Sequence, residues 1–220
     1  MSAGFQRARR PEQIEARRTA ILAAARELLA ERPVADISLR ELACHVGLAK
    51  SNVLRYFDSR EAVFLEVLDT AWTAWLDDLE GKLGDPAPAD PGFAREERVA
   101  GTIAATLAER RLLCELISSM APVLERNISL EFARSFKGRA AASTERLGAL
   151  VRTRVPELSA DGARQFALGV VVLVSGAWPF ANPTDVVAKA AAEVGAAPEF
   201  AVALAEGLTN LLAGLVARRR

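Results

Sequence analysis

Between residues 37 and 62 the chain sets Lys50, Ser51, Asn52, Arg55 and Tyr56 close together, and each of these side chains can donate a hydrogen bond. Two are cationic and none is acidic. Such a set suits a surface that lies against phosphates, which accept from any donor, and against base edges, which accept at fixed positions. The apolar pattern explains how they share a surface. Leu48, Val53 and Phe57 supply the buried side of a short helix, and Gly47 ends the preceding one, in which Leu39, Leu42, Ala43 and Val46 fall on one face. Ala43 is small where the two helices must cross closely. Ser38 with Glu41 three positions on reads as a capping box that starts the first helix, and Asp58 with Glu61 reads as a second one, with Arg60 in the first turn of a longer helix. The layout is that of a helix-turn-helix. An ordinary helical hairpin has the same spacing, so spacing alone leaves both open.

These residues resemble the tetracycline-repressor (TetR) family of bacterial transcriptional regulators. The similarity runs through Leu42-Ala43, Gly47-Leu48, Lys50, Tyr56-Phe57, Ser59 and Arg60-Glu61. It is close over roughly the first sixty residues, and beyond them length and helical character agree. The resemblance implies a sequence-specific, homodimeric transcriptional regulator, a repressor released from double-stranded operator DNA by a small effector. It implies that Lys50, Ser51, Asn52, Arg55 and Tyr56 face the major groove, with Ser38, Arg40 and Arg60 at phosphates or groove edges. Two positions depart from the family pattern. Ala49 stands where a serine is usual, so the second helix lacks a side-chain cap, and Leu54 stands where a tyrosine supplies a phosphate contact. Arg55 and Tyr56 flank that gap and are the candidates to fill it.

The formal net charge is zero, but residues 1–60 carry eleven Lys or Arg against seven Asp or Glu, and the remainder is acidic by the same margin. The basic excess coincides with the helix-turn-helix, as phosphate binding requires, although a solvated charged face would explain it equally well. Arg7, Arg9 and Arg10 form a basic arm before the first helix, suited to a minor groove or simply solvated. Enzyme chemistry finds little support. The one histidine, His45, lies inside the helix-turn-helix. There is no glycine-rich phosphate loop, no dinucleotide fingerprint and no metal-ligand spacing, so neither a cofactor nor a metal is expected. Adjacent carboxylates such as Asp77-Asp78 and Glu96-Glu97 point about 100° apart on a helix and read as solvated faces. Cys44 and Cys114 form no disulfide or zinc pattern, which fits a reducing cytoplasm. The most apolar segment, 166–181, is interrupted by Ser175 and Gly176 and falls short of the roughly 20 residues a bilayer needs, so it reads as a buried helix.

Everything that positions these residues reads as helix, and no strand-like alternation occurs. The expected architecture is all-α: a three-helix domain over 1–58 and a larger effector-binding and dimerisation domain over 59–220. A helix from Pro11 to just before Pro33 backs the helix-turn-helix, and a long one runs from Ser59 to about Leu83. The prolines and glycines of 84–92 form a loop. Helices are expected at about 93–110, 112–120, 124–155 and 159–178, the last ended by Pro179 and Pro183, and a final one opens at Pro198. The two long apolar helices at the end are expected to pair across a two-fold axis. A mixture of bulky, flexible and small apolar residues marks an effector pocket, placed by the resemblance between the long helix and those over 93–180. Its expected wall is Trp75, Leu79, Ile103, Leu107, Ile117, Met120, Phe132, Phe136, Phe166 and Val170, with Thr106, Cys114, Ser118 and Asn127 as polar groups. Without an Arg or Lys cluster the ligand is expected to be a largely apolar small molecule. A ligand-independent helix-turn-helix protein is the alternative, and it leaves about 160 residues beyond the helix-turn-helix without a purpose.

Overall fold

The computed structural model describes residues 11–85, 92–195 and 199–218, which form ten α-helices with no strand among them. Pro11–Glu31 (α1) lies behind Leu39–His45 (α2) and Lys50–Val53 (α3). Arg60–Lys82 (α4) leaves this trio and enters the C-terminal part, where Ala94–Ala108 (α5), Arg111–Ser119 (α6), Leu130–Arg154 (α7), Ala160–Ala181 (α8), Asp185–Glu193 (α9) and Phe200–Ala217 (α10) follow. The arm at Arg7, Arg9 and Arg10, most of the proline loop and Pro198 lie outside the described residues.

Local signals set most boundaries. Ser38 accepts from the Glu41 backbone N–H at 3.2 Å and the Glu41 carboxylate accepts from the Ser38 backbone N–H at 2.8 Å, completing the box that begins α2. Gly47 turns the chain at φ 65°, where a Cβ would clash with its own backbone. Ala49 begins α3 with no side-chain cap, as its methyl group requires. The second capping box is corrected: Ser59, and not Asp58, caps α4 by accepting from the Ala62 N–H at 3.1 Å. Asp58 instead accepts from the Ser129 hydroxyl at 2.5 Å.

Three boundaries differ from the sequence reading. Pro179 does not end α8, which runs on to Ala181 because the last turn of a helix can lose one N–H bond without unwinding. The stretch expected as one helix over 124–155 is broken: Met120–Leu124 forms a π-helical turn around Pro122, and α7 starts afresh at Leu130 with Ser129 as its cap. A ninth helix, α9, fills the segment after Pro183, and none of its residues is buried.

The core is organised around α4, which packs on α1 near its start and on α5, α6 and α7 farther along. Ala62 to Leu65, Val67, Leu68, Trp72, Trp75, Leu76 and Leu79 are all buried. Arg18, unremarked in the sequence, clamps the junction. Its Nη2 donates to both Glu66 oxygens on α4 at 2.5 and 2.6 Å, its Nη1 donates to the Tyr56 carbonyl, and the guanidinium lies 4.3 Å from the centre of the Phe57 ring. One side chain thus joins α1, the end of the turn after α3, and α4. Hydrogen bonds to a charged, half-buried group are worth about 1.5–3 kcal/mol, so Arg18→Ala is expected to lower the urea unfolding free energy by about 2 kcal/mol with an unchanged m-value.

Candidate nucleic-acid interface and effector cavity

The face built by α2, the glycine turn and α3 carries the donor set. Lys50, Ser51 and Arg55 are exposed, Asn52 and Tyr56 are half-buried, and Arg40 and Ser38 stand exposed on α2 and at its cap. Val53 and Phe57 are buried beneath them, so the apolar side of α3 anchors the polar side outward. Leu54 is 42% exposed on the same face, with no polar atom to offer in place of a tyrosine hydroxyl. The Ser38 hydroxyl is engaged in its cap, donating to Glu41 at 2.8 Å. The Ser38 backbone N–H, followed by Arg32 at 2.9 Å, holds the Glu41 carboxyl at about 2, well below its ordinary value. The box is therefore formed above about pH 4.5 and is lost only as pH falls towards 2.

A cavity of about 60 Å³ lies between α4 and α7. Leu68, Asp69 and Trp72 line it from α4, Phe136, Ala140, Ser143 and Thr144 from α7, while Ile117 and Met120 close one end and Val171 of α8 the floor. It is largely apolar. Asp69 is paired with Arg139 Nε at 2.7 Å, and Thr144 donates to the Ala140 carbonyl at 2.8 Å. The volume holds one or two water-sized groups, well below the roughly 300 Å³ at which ligand pockets begin.

Two family descriptions match this chain: bacterial regulatory proteins of the tetR family over residues 21–67, and the tetracyclin repressor-like C-terminal domain over residues 69–219. The chain belongs to the TetR family. Among curated relatives, the HTH-type transcriptional regulator EthR of Mycobacterium tuberculosis is 49% identical over 53 residues, which span 24% of this chain and 24% of EthR. The match to that relative is therefore confined to about a quarter of its length. Among solved structures, a TetR transcriptional regulator from Rhodococcus sp. RHA1 superposes with TM-score 0.57 at 16% identity, covering 93% of this chain and 97% of that one. FadR of Bacillus subtilis, solved with stearoyl-CoA, gives 0.54 at 15% identity, covering 89% and 97%. At these identities the likeness is one of fold.

Within this TetR-family fold the expected residues separate. Arg60 is not turned to the outer face. Its Nη1 donates to the Ile37 carbonyl at 2.7 Å, its Nε and Nη2 donate to Glu61 at 3.1 and 2.9 Å, and it lies over Phe64, so it ties the start of α4 to the segment before α2. Of the expected pocket wall, Ile117, Met120 and Phe136 line the cavity, and Phe132 stacks on Phe136 at 6.4 Å just beyond it. Trp75, Leu79, Ile103, Thr106, Leu107, Cys114, Phe166 and Val170 are corrected to core: all are buried, none lines the cavity. Trp75 Nε1 donates to Thr106 Oγ1 at 3.0 Å, and Cys114 donates to the Leu107 carbonyl at 3.3 Å. The reason is axial. Leu68, Trp72, Trp75 and Leu79 share one buried stripe of α4, and the cavity lies at the level of the first two, which the periodicity of the stripe does not distinguish from the last two. The polar Asp69, Ser143 and Thr144, lying among apolar residues, were the one local sign of this cavity.

Two predictions follow from these placements. Arg60→Ala is expected to lower the melting temperature while leaving the salt slope of DNA binding unchanged, because Nε, Nη1 and Nη2 are each engaged within the protein; a slope reduced by about one unit would restore it to a phosphate. Burial pushes the Cys114 thiol up to about 12, whereas Cys44 is exposed. A disulfide reagent at pH 8 is therefore expected to titrate one thiol in the native protein and two in denaturant.

Proposed function

We propose that this chain is a homodimeric, operator-binding transcriptional repressor whose DNA affinity falls when a largely apolar small molecule enters the cavity between α4 and α7. The observation that carries the reading is the route from that cavity to the DNA-facing helices. α7 lines the cavity with Phe136, Ala140 and Thr144, and its first residue is capped by Ser129, whose hydroxyl is bonded to Asp58 in the turn between α3 and α4. A ligand that wedges α7 outward pulls on this bond and on α4, and so tilts the face bearing Lys50, Asn52 and Arg55. Such a ligand must bind the tilted state more tightly, by about 1.4 kcal/mol for each tenfold loss of DNA affinity. FadR of Bacillus subtilis was solved with stearoyl-CoA, a molecule with a long apolar chain, which supports an apolar effector in this fold.

The dimer is supported by what one protomer leaves uncovered. α8 and α10 are long and apolar enough to cross a bilayer, at 22 and 18 residues, yet they pack on one another and on α5, α6 and α7. Leu168 is 56% exposed, Val172 69%, Phe180 76% and Val202 52%, an uneconomical surface for a monomer. Pairing α8 and α10 with their copies across a two-fold axis buries these residues and sets two reading faces for successive major grooves.

The test is a gel-shift titration with the DNA upstream of the gene at fixed salt. Lys50→Ala and Arg55→Ala are each expected to weaken binding at least about tenfold while leaving the melting temperature within a few degrees. If both bind as the parent does, the assignment of this face is wrong. Sedimentation at micromolar concentration is expected to give a dimer without DNA, and a monomer there would remove the dimer from the reading. Ser129→Ala is expected to leave binding of the free protein intact and to blunt release by any effector found; full release by the variant would exclude this bond from the coupling.

A further inference from the structure

Trp72 and Trp75 sit three residues apart on α4, 5.1 Å between ring centres and edge to face, but their indole N–H groups have different fates. That of Trp75 is spent on Thr106. Trp72 is 8% exposed, its ring forms part of the cavity wall, and its Nε1 is buried with no hydrogen-bond partner among the described residues. A buried donor without an acceptor is costly, and an indole N–H, unlike a hydroxyl, cannot rotate to find a backbone carbonyl of its own helix. It contributes specificity to whatever supplies the acceptor.

We propose that the effector presents a neutral carbonyl-type oxygen, that of a ketone, ester or lactone, to the Nε1–H of Trp72, with its apolar part against Leu68, Ile117, Met120, Phe136 and Val171. This rests on the effector-released reading above. Charge selects the neutral class. No Lys, Arg or His lines the cavity, and the charged residue that does, Asp69, already takes up the nearby Arg139, so the wall offers no free cation to a carboxylate ligand. The Thr144 hydroxyl proton is already given to Ala140. Nε1 is closed to solvent in this arrangement, so its bond to a ligand forms only as the wall around it opens. The interaction therefore favours the open arrangement over the closed one, which is what an inducer requires.

The experiment compares 2-nonanone, decane and nonanoate, of nearly equal size, by displacement of an apolar fluorescent dye from the full-length protein and its Trp72→Phe variant. The parent is expected to hold 2-nonanone about tenfold more tightly than decane, and nonanoate more weakly than the ketone, as a desolvated hydrogen bond to an otherwise unpaired donor predicts. Trp72→Phe is expected to bind decane within about twofold of the parent and to lose the preference for the ketone, since the ring is kept and the donor removed. A second readout needs no variant: of the three indole N–H resonances in an NMR spectrum, that of Trp72 is expected to move downfield with 2-nonanone and not with decane. A parent that fails to distinguish ketone from decane, a variant that keeps the preference, or an unmoved Trp72 resonance with ketone bound overturns the assignment of Trp72 while leaving the cavity as an effector site. If none of the three probes displaces the dye or raises the melting temperature, the effector reading itself fails, and this proposal with it.

Discussion

A helix packed tightly along both of its halves moves as a unit, and that constraint governs this protein. The first turns of α4 are sealed against α1 by Ala62, Val63, Phe64 and Val67, and its later turns against α5 and α6 by Trp75, Leu76 and Leu79. Close-packed interiors resist gradual deformation, so a displacement at one end of such a rod is carried to the other as a tilt. Arg18 makes the first half of the rod part of the helix-turn-helix unit by holding Glu66 and the Tyr56 carbonyl together. The reading face and the wall of the cavity are therefore two ends of a single rigid element.

The contact between α4 and α7 is built differently. Arg139 meets Asp69 at 2.7 Å, Arg146 meets Asp77 and Glu80 at 2.7 and 2.9 Å, and Arg154 donates to the Gly84 carbonyl at 2.8 Å, all from one side of α7. These pairs are substantially exposed, and exposed ion pairs contribute roughly 0–1 kcal/mol each. The cavity lies at the level of the first pair, while farther along Leu147, Leu150 and Val151 of α7 are buried with Leu76 and Leu79 of α4. The seam is thus weakest where the cavity interrupts its packing. On its other side α7 meets α8 closely: at Gly148 an added Cβ would come within 3.2 Å of the Ala163 carbonyl oxygen. This close contact joins α7 to α8, which leaves Leu168, Val172 and Phe180 exposed.

The helix-turn-helix was legible because its signals are local. A serine and a glutamate three apart, a glycine at the turn and a short apolar stripe depend on neighbours in the chain, and the Ser38 box, the Gly47 turn and the buried Val53 and Phe57 follow from them directly. The break before α7 was less so. Pro122 marks a stop, but the restart at Ser129 competes with an uninterrupted helical pattern, and the bond to Asp58, seventy-one residues away in sequence, has no local signature.

The sequence by itself determined the helical class, the position of the reading helix and the set of donors it carries, since each follows from periodicity, capping and side-chain chemistry within a few residues. Only the tertiary structure decided that Arg60 is spent on Ile37 and Glu61, that Ser59 and not Asp58 caps α4, and that Trp72 and not Trp75 lines the cavity. The cap is a choice between two adjacent local candidates, and the other two depend on which segments distant in the chain lie at each level of α4. The buried stripe of α4 carries Leu68, Trp72, Trp75 and Leu79 in a row, and the packing of side chains distant in the chain decides which of them borders a void.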